Sequence, residues 1–107
     1  MQHIGLAEIE PTYRLAKEFK AGKITQSQAV GTLVNQYHMN KRSAAIYLAT
    51  VRHMLSGARY TQTINNTAVS YFLDSIRNDF GDSTARLALE SLNAHIDYYH
   101  SVQTSQT

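Results

Sequence analysis

An all-α fold is what this sequence predicts, and three observations predict it. The chain has one proline, Pro11, and five scattered glycines, so the turn punctuation of a β-rich domain is missing. Apolar residues recur at spacings of three and four, as they do along one face of a helix. A capping signal stands at the head of each periodic run. These features define about five helices in one small bundle, and 107 residues of 43% apolar composition are enough for a single core.

The first helix opens at Glu10-Pro11, with proline in the first turn, where its missing N–H does no harm. Tyr13, Ala16 and Phe19 form its apolar stripe, and Gly22 ends it. Thr25 and Gln28 are spaced as a capping box for the second helix, whose inner face is Ala29, Val30, Leu33, Val34 and Tyr37 and which stops near His38. Asn40 caps the third helix, with a core stripe of Ala44, Tyr47, Leu48, Val51 and Leu55 and a stop at Gly57. Residues 57–66 are polar and aperiodic, and form a loop. Asn65 or Asn66 caps the fourth helix, which carries Ala68, Tyr71, Phe72, Ile76 and Phe80 and stops at Gly81. Asp82 or Ser83 caps the fifth, with Ala85, Ala88, Leu89, Leu92, Ile96 and Tyr99 facing in. Residues 1–100 then make one helical domain, and 101–107 a flexible tail or the start of a linker.

Charge is distributed unevenly along these elements. No aspartate or glutamate occurs from Phe19 to Leu73, a stretch that holds Lys20, Lys23, Lys41, Arg42, Arg52 and Arg59. Both flanks are net acidic, so a formal charge of only +2 conceals a strongly positive middle. Such a field attracts a polyphosphate backbone.

The second and third helices are joined by about three residues, the proportion of a helix-turn-helix-like unit, although an ordinary helical hairpin has loops as short. At 100° per residue, Arg42, Ile46, Ala49 and His53 share one line of the third helix, and Lys41, Ala45 and Arg52 the line beside it. A face that is basic at its ends and small in its middle suits entry into the major groove. The other reading of Ile46 and the alanines is packing against a neighbouring helix. The adjoining loop offers Arg59, Tyr60, Thr61, Gln62 and Asn65, a cation, an aromatic ring, a hydroxyl and amides with no carboxylate among them.

Several function classes lack their residues. With no cysteine there is no disulfide, thiol nucleophile or thiolate metal site, which fits a reducing compartment and makes the cytoplasm the expected location. No apolar run is long enough to span a bilayer, and the N-terminus lacks the basic and apolar segments of a signal peptide. His95, Asp97 and His100 do not share the helical spacing of metal ligands, and His95 reads as a packed or capping residue. No catalytic residue, metal or cofactor is expected.

The segment from Gly57 to Tyr99 resembles the helical N-terminal domain of bacterial HNH-type restriction endonucleases, several of which are specific for methylated cytosine. The resemblance is carried by Gly57, Tyr60, Tyr71-Phe72-Leu73, Phe80-Gly81 and His95-Ile96-Asp97-Tyr98-Tyr99, and extends back over Ser43 to Leu55. Gln62 stands where many relatives carry arginine. The resemblance implies a target-recognition module for duplex DNA, methylated in some cases, whose full-length parent is a nuclease with its cleavage residues outside this chain. The expected partners are duplex DNA and, through the full-length protein, a second copy in a homodimer.

The combined expectation is a double-stranded DNA-binding module without catalytic activity of its own. Lys41, Arg52 and Arg59 are expected on phosphates, and Arg42 and Ser43 at base edges. Ile46, His53, Thr61, Gln62 and Asn65 complete the surface, with Tyr47 or Tyr60 beside a modified base. A methyl contact of about 1 kcal/mol discriminates modestly, and the small chain favours groove readout over base flipping. The alternative is a protein–protein adaptor that presents the same basic face to an acidic partner.

Overall fold

The computed structural model describes residues 4–105, and the side chains of 4–101. Five helices follow one another: α1 Leu6–Lys20, α2 Gln26–Tyr37, α3 Lys41–Ser56, α4 Asn66–Phe80 and α5 Asp82–Ser105. No strand occurs among the described residues.

Side-chain caps start three of these helices as expected. The Thr25 hydroxyl accepts from Gln28 N–H at 3.1 Å while the Gln28 amide accepts from Thr25 N–H at 2.8 Å. Asn40 accepts from the N–H groups of Arg42 and Ser43, and Asn65 from that of Ala68. Where α1 ends, Gly22 is left-handed at φ 77° and Lys23 N–H returns to the Glu18 carbonyl. At the end of α2 the left-handed residue is His38 (φ 58°, ψ 29°), the one non-glycine in that region among those described. Histidine is one of the few side chains that tolerate it, so the three-residue corner needs no glycine.

Three boundaries differ from expectation. α1 begins four residues early, at Leu6, because Gly5 N–H is taken by the Glu8 carboxylate at 2.8 Å and the Gly5 carbonyl receives Glu8 and Ile9. Pro11 is therefore a buried residue in the body of the helix, not its first turn. α5 is started by neither Asp82 nor Ser83: Gly81 ends α4 with its N–H on Arg77 and opens α5 with its carbonyl on Ala85. Its backbone (φ 88°, ψ −177°) lies in a region that only glycine occupies readily. α5 also continues through Ser105, so most of the expected tail has helical backbone, and residues 106 and 107 lie outside the described part.

α3 is the central helix, packed on α1, α2 and α5, while α4 packs on α1 and α5. Phe72, Ile9, Leu33, Met54, Ile76 and Val51 are fully buried where these helices meet. Burying each such side chain contributes about 1.5–3 kcal/mol. At the surface α1 and α4 are clipped together by Asp79, which accepts from the Tyr13 hydroxyl and the Lys17 ammonium, both at 2.8 Å. These donors hold the Asp79 carboxyl below its ordinary range, while burial, and then Asp79, raise the Tyr13 phenol.

α5 differs from its expected packing. Leu89, Ile96 and Tyr99 are 43%, 42% and 47% exposed, while Ser91 and His95 are buried. The cause lies in the 57–65 loop, whose carbonyls face this helix and require donors. Ser91 supplies a hydroxyl to the Ala58 carbonyl, and His95 Nδ1 donates to the Tyr60 carbonyl at 2.6 Å.

Candidate nucleic-acid interface

The inner stripe of α3, from Ala44 through Leu55, is buried, which turns Lys41, Arg42 and Arg52 outward. Lys41 and Arg52 are eleven residues apart on one line, about 16 Å along the axis. All three cations are exposed. Among the described residues the ion pairs are Lys17–Asp79 and Arg77–Asp82, so no carboxylate neutralises these three or Arg59.

Between the basic ends, Ala45, Ile46 and Ala49 are half-buried because structure rises on both sides of them. On one side stands α2, enclosing with α3 a groove of about 520 Å³ lined by Gln26, Val30, Val34, Lys41 and Ala45 among others. On the other side stands the loop, and a second groove of about 290 Å³ lies between Ala45, Ile46, Ala49 and His53 of α3 and Tyr60, Thr61 and Gln62. Gln26 lines both grooves and accepts a hydrogen bond from Arg52 Nη1 at 3.1 Å. The Arg52 guanidinium also lies 5.0 Å from the Phe19 ring centroid, so two neighbours orient it.

Two residues that line the second groove, His53 and Tyr60, each carry a buried polar atom of interest. His53 Nδ1 and the Tyr60 hydroxyl are buried and have no hydrogen-bond partner among the described residues. Native proteins leave few such groups, because each costs about 1–3 kcal/mol. Burial, and then the Arg52 charge, lower the His53 pKa from its ordinary value. Burial raises that of the Tyr60 phenol. Near pH 7 the groove is therefore lined by neutral groups, with cations at its margins.

No family model, curated protein or solved structure matches this chain.

The structure brings some of the sequence-derived candidates together and withdraws others. Lys41, Arg42, Ile46, Arg52, His53, Thr61 and Gln62 share the face just described. Ser43 is half-buried beside them, with its N–H used by the Asn40 cap. Arg59 is exposed but directed to α5, with its guanidinium 4.7 Å from the Tyr98 ring centroid. Tyr47 is only 7% exposed and its hydroxyl accepts from Asn65 N–H at 3.3 Å, so it is no platform for a base. Tyr60 is 3% exposed and stacks on His95 at 4.3 Å, so its ring is equally withdrawn, and it stands in the groove wall. The Asn65 side chain is committed to the fold: Oδ1 caps α4 and Nδ2 donates to the Ile4 carbonyl at 2.8 Å. Gln26 is the residue that sequence reasoning missed. Its signal was the acid-free first turn that follows the Thr25 cap.

Among the described residues no three His, Cys, Asp or Glu side chains converge as metal ligands, and no helix is long and apolar enough to cross a membrane.

Proposed function

We propose that this chain is a double-stranded DNA-recognition module that presents the outward face of α3 to the major groove. The observation that carries the reading is the combination on that face: exposed, unneutralised Lys41, Arg42 and Arg52 around a neutral groove with two unpartnered polar atoms. Phosphates are bound by point charges and need no specific edge, whereas base edges are read by neutral donors and acceptors in fixed positions. An acidic protein partner would account for the cations but leaves the neutral groove without a purpose.

In this proposal α2 and α3 act as a helix-turn-helix-like pair, with α3 as the reading helix. Lys41, Arg42 and Arg52 neutralise phosphates along about 16 Å of its length. Ala45, Ile46 and Ala49 offer methyl contacts to a thymine or methylated-cytosine C5 substituent. Gln26, Gln62, Thr61 and Ser43 supply base-edge hydrogen bonds, Thr61 and Gln62 being exposed loop residues beside the His53–Tyr60 groove. Modified-cytosine sensing and an HNH nuclease parent rest on the sequence motif alone. With no exposed aromatic platform in the groove, groove readout remains the proposed mode.

Titration of the chain with matched methylated and unmethylated duplexes at two salt concentrations tests the proposal. Affinity for duplex is expected to fall steeply with salt, by a log–log slope of about −0.9 per phosphate neutralised. Methylation is expected to strengthen it by at most about fivefold, one methyl contact. No binding at low salt would refute the DNA reading and return the basic face to the adaptor alternative.

A further inference from the structure

We propose that α5 is a homodimer interface, pairing antiparallel with α5 of a second copy of this chain. The proposal concerns a different surface from the α3 face and does not rest on the DNA reading. It concerns this chain alone, independently of any segment outside the sequence.

Leu89, Leu92, Ile96 and Tyr99 recur at three, four and three residues and so form one line, about 15 Å long, down α5. Leu89, Ile96 and Tyr99 are each more than two-fifths exposed, and Leu92 is half-buried at the edge of the core. Isolated apolar side chains at a surface are ordinary, but a helix that leaves a second periodic stripe exposed after packing its first has an unpartnered face. The first stripe, Ala88, Ser91 and His95, is already committed to the domain.

The charges beside the stripe identify the occupant. Arg86 and Asp97 are three turns apart on the same flank, both exposed, and neither has an ion-pair partner among the described residues. In an antiparallel pair, with a two-fold axis near Leu92, like flanks meet. Leu89 of one copy faces Ile96 of the other, and Arg86 of one copy comes alongside Asp97 of the other, twice. In a parallel pair unlike flanks meet, and the flank across the stripe carries Ser91 and His95, so Arg86 and Asp97 would find no counterpart there; the pattern favours the antiparallel orientation.

Sedimentation equilibrium of the full chain over a range of micromolar concentrations tests this. The mass is expected to rise from 12.0 kDa towards twice that value. Ile96→Glu, and independently Leu89→Glu, are expected to restore the monomer with helicity unchanged and a melting temperature that no longer depends on concentration, since both positions are partly exposed in the single chain. Arg86→Asp and Asp97→Arg are each expected to weaken dimerisation about tenfold, and the double exchange to recover it. A chain that remains monomeric throughout, a dimer indifferent to Ile96→Glu and Leu89→Glu, or a double exchange that recovers nothing would each overturn the proposal.

Discussion

Replacing Tyr60 by phenylalanine should change stability and DNA affinity in opposite senses. The Tyr60 side chain is almost wholly buried, its ring stacks on His95, and its hydroxyl has no partner among the described residues. Phenylalanine keeps the ring, the stack and the backbone bond from His95, and deletes only the oxygen. A buried hydroxyl without a hydrogen bond costs about 1–3 kcal/mol on mutational scales, so the lower end of that range should return as stability. For a domain of this size, about 1 kcal/mol raises the melting temperature by roughly 4–8 °C. If that hydroxyl meets a base edge when DNA is bound, its loss removes one hydrogen bond of about 0.5–1.5 kcal/mol, a two- to tenfold weakening. Thermal melts by circular dichroism and anisotropy titrations with a duplex selected by the wild-type chain measure the two effects. A lower melting temperature would show that the hydroxyl is satisfied in the folded chain. A higher one with unchanged affinity would show that the Tyr60 hydroxyl makes no contact with DNA.

Phe72→Ala should destabilise by about 3–5 kcal/mol, because Phe72 is fully buried between α4 and its neighbours; a shift of under 1 kcal/mol in chemical denaturation would contradict the assigned core. Two glycines should respond in opposite directions. Gly57 is left-handed (φ 78°) and a Cβ there would meet Leu87 Cδ2 at 3.1 Å, so Gly57→Ala should cost about 1–2 kcal/mol. Gly31 lies inside α2 with nothing within 4 Å of a Cβ, so Gly31→Ala should add about 0.5–1 kcal/mol. His53 should link stability to pH: its pKa is depressed in the folded state, so its contribution is present above the ordinary histidine value of about 6.5 and lost as pH falls through the folded value. His53→Gln should therefore flatten the loss of melting temperature below pH 6.5, and an unchanged pH profile would mean that the ring is not desolvated.

Most of the fold was legible because its signals are local. Thr25, Asn40 and Asn65 cap the helices they precede in sequence, and Gly22, Gly57 and Gly81 occupy the backbone conformations that end helices. Gly5 was not legible as a start, since it has no capping side chain and acts only through the Glu8 carboxylate. The inner face of α5 departs from its sequence periodicity for a tertiary reason. Periodicity favours Leu89 and Ile96, yet the loop carbonyls of Ala58 and Tyr60 place Ser91 and His95 inside. The same pinning explains why a loop of polar composition buries Tyr60 and Ile64. On the candidate site, the acid-free charge map located Lys41, Arg42 and Arg52, because an exposed α3 face follows directly from its buried stripe. It did not locate Gln26, nor the direction of Arg59, since both depend on how α2 and α5 are set against α3.

The central claim is that the outward face of α3 binds duplex phosphates. Its most direct test is the salt dependence of duplex affinity for the wild type and a Lys41→Ala/Arg42→Ala/Arg52→Ala variant, all three sites being exposed and therefore replaceable without loss of fold. Removal of three phosphate contacts should make the log–log slope shallower by about 2.7 units while the melting temperature stays within a few degrees of wild type. An unchanged slope in a folded variant would mean that the duplex, if bound at all, is held elsewhere on the molecule.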